Sequence, residues 1–77
     1  MYILFHKESC PFCVKVRQFA SDNGVELVLA DSPTGSPSRA ILEKLGGKSM
    51  VPFLIDTDAG QYMYESGDII DYLAAGK

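Results

Sequence analysis

Residues Tyr2 to Phe5 form an unbroken apolar run of four, closed off by the polar stretch His6 to Ser9. Such a run fits a strand buried on both faces rather than one with a wet side. The rest of the chain must then cover both faces, and at 77 residues it has room for a single domain, expected over residues 1–77. A domain of this size buries only about 60% of the surface its unfolded chain exposes. Its core is thin and holds no large enclosed cavity, so any site is a shallow groove for a small substrate or for part of another protein.

Proline and glycine punctuate the remainder of the chain. Pro11 sits where a first helical residue is well tolerated, because an N–H there has no intrahelical partner. Cys13, Val16, Phe19 and Ala20 then recur at helical spacing among Lys15, Arg17, Gln18 and Asp22. Asn23-Gly24 ends the run, so a helix spans Pro11 to about Asp22. Val25 to Ala30 reads as a second strand, and Asp31 to Ser38 as a turn-rich loop. Ser36 caps a second helix with Pro37 at its first position; this helix carries Ala40, Ile41 and Leu45 and stops at Gly46-Gly47. Pro52 to Thr57 is a third strand, Asp58-Ala59-Gly60 a turn, and Gln61 to Tyr64 a fourth strand short enough to pair back as a hairpin. Ser66 caps a last helix with Asp68 in its first turn and Ile69, Ile70 and Leu73 as its buried face. The order βαβ-α-ββα places the chain in the α/β class. Its first two strands are parallel across a helical crossover and its last two antiparallel, which gives a four-stranded mixed sheet with helices packed against it.

Charge narrows the partners. The net charge is −3 and the seven basic residues are scattered, so counterion release has little to work with and no nucleic-acid partner is expected. No apolar stretch approaches the roughly 20 residues that span a bilayer, so no membrane partner is expected. Met1 to His6 has neither a basic n-region nor a small-residue cleavage site. The expectation is a cytoplasmic protein without a signal peptide, and a monomer.

The chemistry points to Cys10 and Cys13. Two cysteines are too few for a secreted disulfide framework, and a bond between them closes so small a loop that it adds little stability. Three apart at a helix start, their sulfurs share one face and can approach bonding distance. Cys10 falls at or just before the first turn, where free N–H groups and the positive dipole end favour a thiolate. Lys7 adds a positive charge nearby. Cys13, one turn inside, faces the core and reads as the resolving thiol. The pair also admits two other readings: small buried hydrophobes, or half of a zinc site, for which His6 is the one further candidate ligand. No metal is expected.

Cys10-Pro11-Phe12-Cys13 resembles the motif of dithiol glutaredoxins, in which Tyr commonly stands where Phe12 is. Lys7 is similar to the family's Lys three residues before the nucleophile. Met50-Val51-Pro52 is similar to its Thr-Val-Pro segment, whose proline is cis. Tyr64-Glu65-Ser66-Gly67-Asp68 falls where the family has Gly-Gly-x-Asp-Asp. The resemblance runs nearly the whole chain and implies a thioredoxin-like fold with helices on both faces of the sheet. It also implies a glutathione-dependent thiol–disulfide oxidoreductase that reduces protein disulfides and glutathione mixed disulfides. Glutathione would be the co-substrate, with no bound cofactor, and glutathionylated or disulfide-bonded proteins the partners.

The same resemblance assigns roles. Lys7 pairs with the glycine carboxylate of glutathione. Val51 hydrogen-bonds the tripeptide through its backbone, as an added strand does, and Pro52 presents that backbone. Ser66 meets the γ-glutamyl carboxylate at a helix start, and Phe12 lines the groove. Phe12 lacks the phenol hydroxyl, Met50 lacks the Thr donor, and Gly67 lacks an acidic or hydroxyl side chain. Glu65-Ser66 instead resembles the Glu-Ser pair of glutathione S-transferase N-terminal domains, so Glu65 supplies the anionic partner that Gly67 cannot. A full transferase has a second, helical domain, and this sequence ends at Lys77, so the expectation is a glutaredoxin with transferase-like binding residues. On the residues alone, Lys7 also reads as an exposed loop lysine, Ser66 as a helix cap, Phe12 as an exposed or partly core aromatic, and His6 as a loop residue rather than a general base. Tyr62, Tyr64 and Tyr72 read as core and surface filler. Alternative functions are an iron–sulfur cluster carrier between two subunits, which Pro11 disfavours by restricting the loop beside Cys10, a thioredoxin-like reductase served by a protein partner, and a domain that binds glutathione without turnover.

Overall fold

The chain, whose computed structural model describes residues 1–76, runs β1 (Tyr2–His6), α1 (Pro11–Asp22), β2 (Val28–Asp31), α2 (Pro37–Gly46), β3 (Phe53–Asp56), β4 (Gln61–Tyr64) and α3 (Ser66–Ala75). The four strands form one sheet in the order β2-β1-β3-β4. β1 and β2 are parallel, with Ile3 beside Val28 and His6 beside Asp31. β3 is antiparallel to β1, with Phe53 beside Phe5, and β4 is antiparallel to β3, with Tyr64 beside Phe53. This is the thioredoxin-like α/β arrangement expected from the sequence.

The apolar run of β1 serves both faces because successive side chains point to opposite sides of the sheet. Leu4 packs with Leu54 of β3, Val16 of α1, and Ile69 and Leu73 of α3. Phe5 packs on the other side with Phe53, Ile55 and Leu42 of α2. So α1 and α3 cover one face and α2 covers the other, and Leu4, Phe53 and Leu54 are fully buried.

Four details depart from the sequence reading. β2 starts at Val28, not Val25: the Val25 N–H bonds the Ala20 carbonyl at 2.8 Å and is held against the end of α1. In α2 the buried residue is Leu42, while Ile41 and Leu45 remain 51% and 42% exposed, because this short helix turns only a narrow stripe toward the sheet. His6 belongs to β1 and is 7% exposed, so it is not a loop residue. Ser66 is the first helical residue of α3 and not its cap; the cap position is taken by Glu65, at φ 71°. The other helix signals act as read. The Ser36 hydroxyl accepts the Arg39 N–H at 3.2 Å, and Gly47 ends α2 in the left-handed conformation at φ 87°. Among the described residues, no helix is long and apolar enough to cross a membrane.

Candidate functional site

The strand register brings the motifs together. The C-terminal end of β1, the start of β3 and the end of β4 lie at the same end of the sheet, because Phe5 pairs with Phe53 and Phe53 with Tyr64. Lys7 to Cys13 therefore leave the sheet beside Val51-Pro52 and Glu65-Ser66. Both α1 and α3 begin here, so two helix N-termini present free N–H groups and positive dipole ends to this end of the sheet.

Cys10 is the N-cap residue of α1, in extended conformation at φ −80° and ψ 118°. Its N–H donates to the Lys7 carbonyl at 3.0 Å and its carbonyl accepts the Val14 N–H at 3.0 Å. The backbone is thus committed and the half-buried thiol is left for chemistry. Burial raises that thiol's pKa. The Cys13 N–H, the Cys13 thiol, the Phe12 N–H and the Lys7 charge together outweigh burial and hold it below the ordinary value. Cys13 is fully enclosed. Burial first, then the neighbouring Cys10 as hydrogen-bond partner and charge, push its thiol up to about 11, against the pull of the Lys7 backbone and the Arg17 charge. Both cysteines are free thiols. The pair therefore combines an accessible thiol biased toward thiolate with an enclosed one biased toward protonation, the arrangement that thiol–disulfide exchange uses for attack and resolution.

The other expected site residues lie at the same end of the sheet. Lys7 is half-buried beside Cys10 and has no ion-pair partner among the described residues. Phe12 is 61% exposed and rests on no core cluster. The Val51–Pro52 peptide bond is cis, Pro52 is buried, and the Val51 backbone N–H and C=O pair with no other group among the described residues. A free backbone edge of this kind can take an extended peptide by strand addition. Glu65 is exposed, Ser66 is half-buried at the first position of α3, and the Glu65 carbonyl accepts the Ile69 N–H at 3.0 Å. No group of three or more His, Cys, Asp or Glu among the described residues could hold a metal ion. An open hollow of about 1100 Å³ lies at the opposite end of the sheet among Met1, Val25, Leu27 and Leu73, away from the cysteines.

Some of the site's surroundings have no sequence signature. The buried His6 Nδ1 and Arg17 Nε have no hydrogen-bond partner among the described residues. Tyr64, read as filler, bonds the Lys48 peptide through its hydroxyl, and Arg39 of α2 reaches two loop carbonyls. The Tyr64 and Arg39 contacts follow no helical or strand period.

The chain matches the glutathione S-transferase N-terminal domain over residues 4–76. No curated protein sequence matches it. Among solved structures it is similar to glutaredoxin 2 from Salmonella typhimurium in complex with glutathione, with a TM-score of 0.83 and 30% identity over 95% of this chain and 32% of that one. It is also similar to glutathione S-transferase 1-6 from Anopheles dirus species B, with a TM-score of 0.84 and 27% identity over 96% of this chain and 35% of that one. A third likeness is to a glutathione transferase family member from Pseudomonas fluorescens Pf-5 with bound glutathione, with a TM-score of 0.81 and 30% identity over 95% and 37% of the two chains. The chain spans about a third of the length of these structures.

Proposed function

The chain belongs to the family of glutathione S-transferase N-terminal domains, and from that premise we propose that it is a glutathione-dependent thiol–disulfide oxidoreductase. The observation that carries this reading is the Cys10–Cys13 pair at the start of α1, with one thiol held below its ordinary value and the other up to about 11. Two similar structures that hold glutathione, a glutaredoxin and a transferase family member, support glutathione as the partner. The paired cysteines favour exchange chemistry over transfer of glutathione to an electrophile.

In this reading the Cys10 thiolate attacks the glutathione sulfur of a mixed disulfide. The Cys10–glutathione bond forms as the old S–S bond breaks, and the substrate leaves as a thiolate that takes a proton from water. The thiolate of a second glutathione then attacks the bound glutathione sulfur, which yields glutathione disulfide and returns the Cys10 thiolate. On a dithiol route, Cys13 loses its proton to water and attacks the Cys10 sulfur instead. That step releases glutathione and forms a Cys10–Cys13 disulfide, which two further glutathione molecules reduce. The enclosed, protonated Cys13 makes the second route the slower one. Lys7 meets the glycine carboxylate, the Val51 backbone pairs with the tripeptide beside Pro52, Glu65 and Ser66 hold the γ-glutamyl end, and Phe12 lines the groove.

The test is turnover of a small glutathione mixed disulfide with reduced glutathione and glutathione reductase. Wild type should be active, Cys10→Ser inactive, and Cys13→Ser active. An inactive wild type would remove the reading.

A further inference from the structure

The segment from Lys48 to Pro52 joins the left-handed end of α2 at Gly47 to the start of β3 and contains no helix or strand. Two side chains from different elements hold it. From α2, Arg39 donates through Nε to the Ser32 carbonyl at 3.0 Å and through Nη1 to the Ser49 carbonyl at 3.2 Å. From β4, the Tyr64 hydroxyl donates to the Lys48 carbonyl at 2.6 Å and accepts the Lys48 N–H at 3.1 Å. Ser32 is itself fixed: it is fully buried, its N–H donates to the His6 carbonyl at 2.7 Å, and its hydroxyl donates to the Ala30 carbonyl at 2.9 Å.

These bonds make one path across the end of the sheet, from His6 through Ser32, Arg39 and Ser49 to the Lys48 peptide and Tyr64. Each of the three separate pieces of the site hangs from it. Lys7 comes directly after His6, Val51 stands two residues after Ser49, and Glu65 comes directly after Tyr64. Gly46 belongs to the same arrangement, because a Cβ there would collide with the Tyr64 ring and hydroxyl.

We propose that Arg39 and Tyr64 are positioning residues that hold the Val51 backbone at a fixed offset from Lys7 and Glu65, and so set the affinity of the site for glutathione; the proposal rests on the glutathione reading above. The Arg39 side chain spends its bonds on loop carbonyls and none on the core. Its planar fork offers Nε and Nη1 to two separate acceptors, whereas an ammonium donates from a single nitrogen without a fixed plane. The Tyr64 ring packs on Phe53 with centroids 4.7 Å apart, so Tyr64→Phe keeps that packing and removes only the hydroxyl. Loss of either clamp leaves the sheet intact but frees the loop, and a displacement of about 1 Å is enough to spoil a positioned site.

The test is calorimetric titration with S-methylglutathione, which cannot exchange, on wild type, Arg39→Gln, Arg39→Lys and Tyr64→Phe. Cys10 alkylation against pH is measured on the same proteins. Arg39→Gln and Tyr64→Phe should each weaken binding about tenfold. Arg39→Lys should not restore it, and the alkylation profile of Cys10 should stay unchanged, since none of these bonds reaches its thiol. Wild type that binds alongside variants within about twofold of it overturns the clamp alone. Full recovery in Arg39→Lys shows that the charge and not the fork matters, which overturns the role of Arg39. No binding by wild type removes the glutathione reading and the clamp with it. If Arg39→Gln does not fold, Tyr64→Phe decides.

Discussion

Cys13 stands one turn after Cys10, the N-cap of α1, yet their thiols are displaced to opposite sides of the ordinary value, Cys10 below it and Cys13 up to about 11. The contrast arises from depth. Cys10 caps the helix, half-buried and in reach of free N–H groups, while Cys13 is fully enclosed. Iodoacetamide at neutral pH should therefore label Cys10 and leave Cys13 unmodified until the chain is denatured, as read by peptide mass. Lys7→Met should move the alkylation midpoint of Cys10 upward by a modest amount, because Lys7 contributes least among the groups that lower it. Equal labelling of both cysteines in the folded protein would overturn the assignment of nucleophile and resolving thiol.

Glu65 caps α3 at φ 71°, a conformation that L side chains rarely adopt. Holding a non-glycine residue there costs about 1–3 kcal/mol, and its side chain makes no capping bond in return. Glu65→Gly should raise the stability to denaturant by about 1 kcal/mol once the looser unfolded chain is counted. If Glu65 holds the γ-glutamyl end as proposed, the same change should raise the KM for a glutathione mixed disulfide about tenfold, since it removes that anionic partner. A gain in stability without a change in KM would leave Glu65 outside the site.

How much of this was legible in the sequence depended on whether the signal was local. The bounds of α1 match because Pro11 and Asn23-Gly24 punctuate the chain whatever surrounds it. The four-stranded mixed sheet was legible as well, since βαβ joined to a hairpin leaves few topologies. The start of β2 was not, because Val25 and Leu27 are as apolar as a strand needs and only pairing with β1 decides where the strand begins. The face of α2 was missed for a similar reason: Ile41, Leu42 and Leu45 are equally apolar, and the approach to Phe5 and Phe53 selects Leu42. Arg39 and Tyr64 act on backbone carbonyls brought near by the fold, which no spacing encodes. Glu65, by contrast, was singled out from its pairing with Ser66, but its positive φ is a property of the turn out of β4.

His6 is a buried histidine at the C-terminal end of β1. Burial first and the Arg17 charge second hold it below its ordinary 6.5, against the opposing charges of Asp31 and Glu8. Its folded pKa is thus depressed, so the folded chain holds it neutral while the unfolded chain takes up a proton near pH 6.5. The stability linked to it is present above pH 6.5 and declines as the pH falls toward the folded pKa. The thermal midpoint should drop with acidification across that window in wild type. In His6→Gln, which cannot titrate, it should hold steady there. Parallel curves for the two proteins would show that His6 does not govern the acid side.

Tyr72 of α3 donates its hydroxyl to Asp56 Oδ2 at 2.6 Å, tying the last helix to the end of β3, and Asp56 also accepts the Asp58 and Ala59 N–H groups of the adjoining turn. The bond to the carboxylate pushes the phenol up to about 12 from 10.0, and the same bond, ahead of the turn N–H groups, holds Asp56 below its ordinary 3.8. The two ends of the bond titrate in opposite senses. Tyr72 has a raised folded pKa, so its contribution is whole below pH 10 and is lost as the pH climbs toward 12. Asp56 has a depressed one, so its contribution is whole above about pH 4 and is lost as the pH falls through the folded value. Tyr72→Phe should therefore lower the thermal midpoint by a constant amount across the neutral range, and the gap to wild type should narrow at both extremes. A gap that stayed constant above pH 10 would show that the bond with Asp56 does not carry the loss, since Tyr72→Phe keeps the ring that meets Tyr2 edge-on at 6.5 Å.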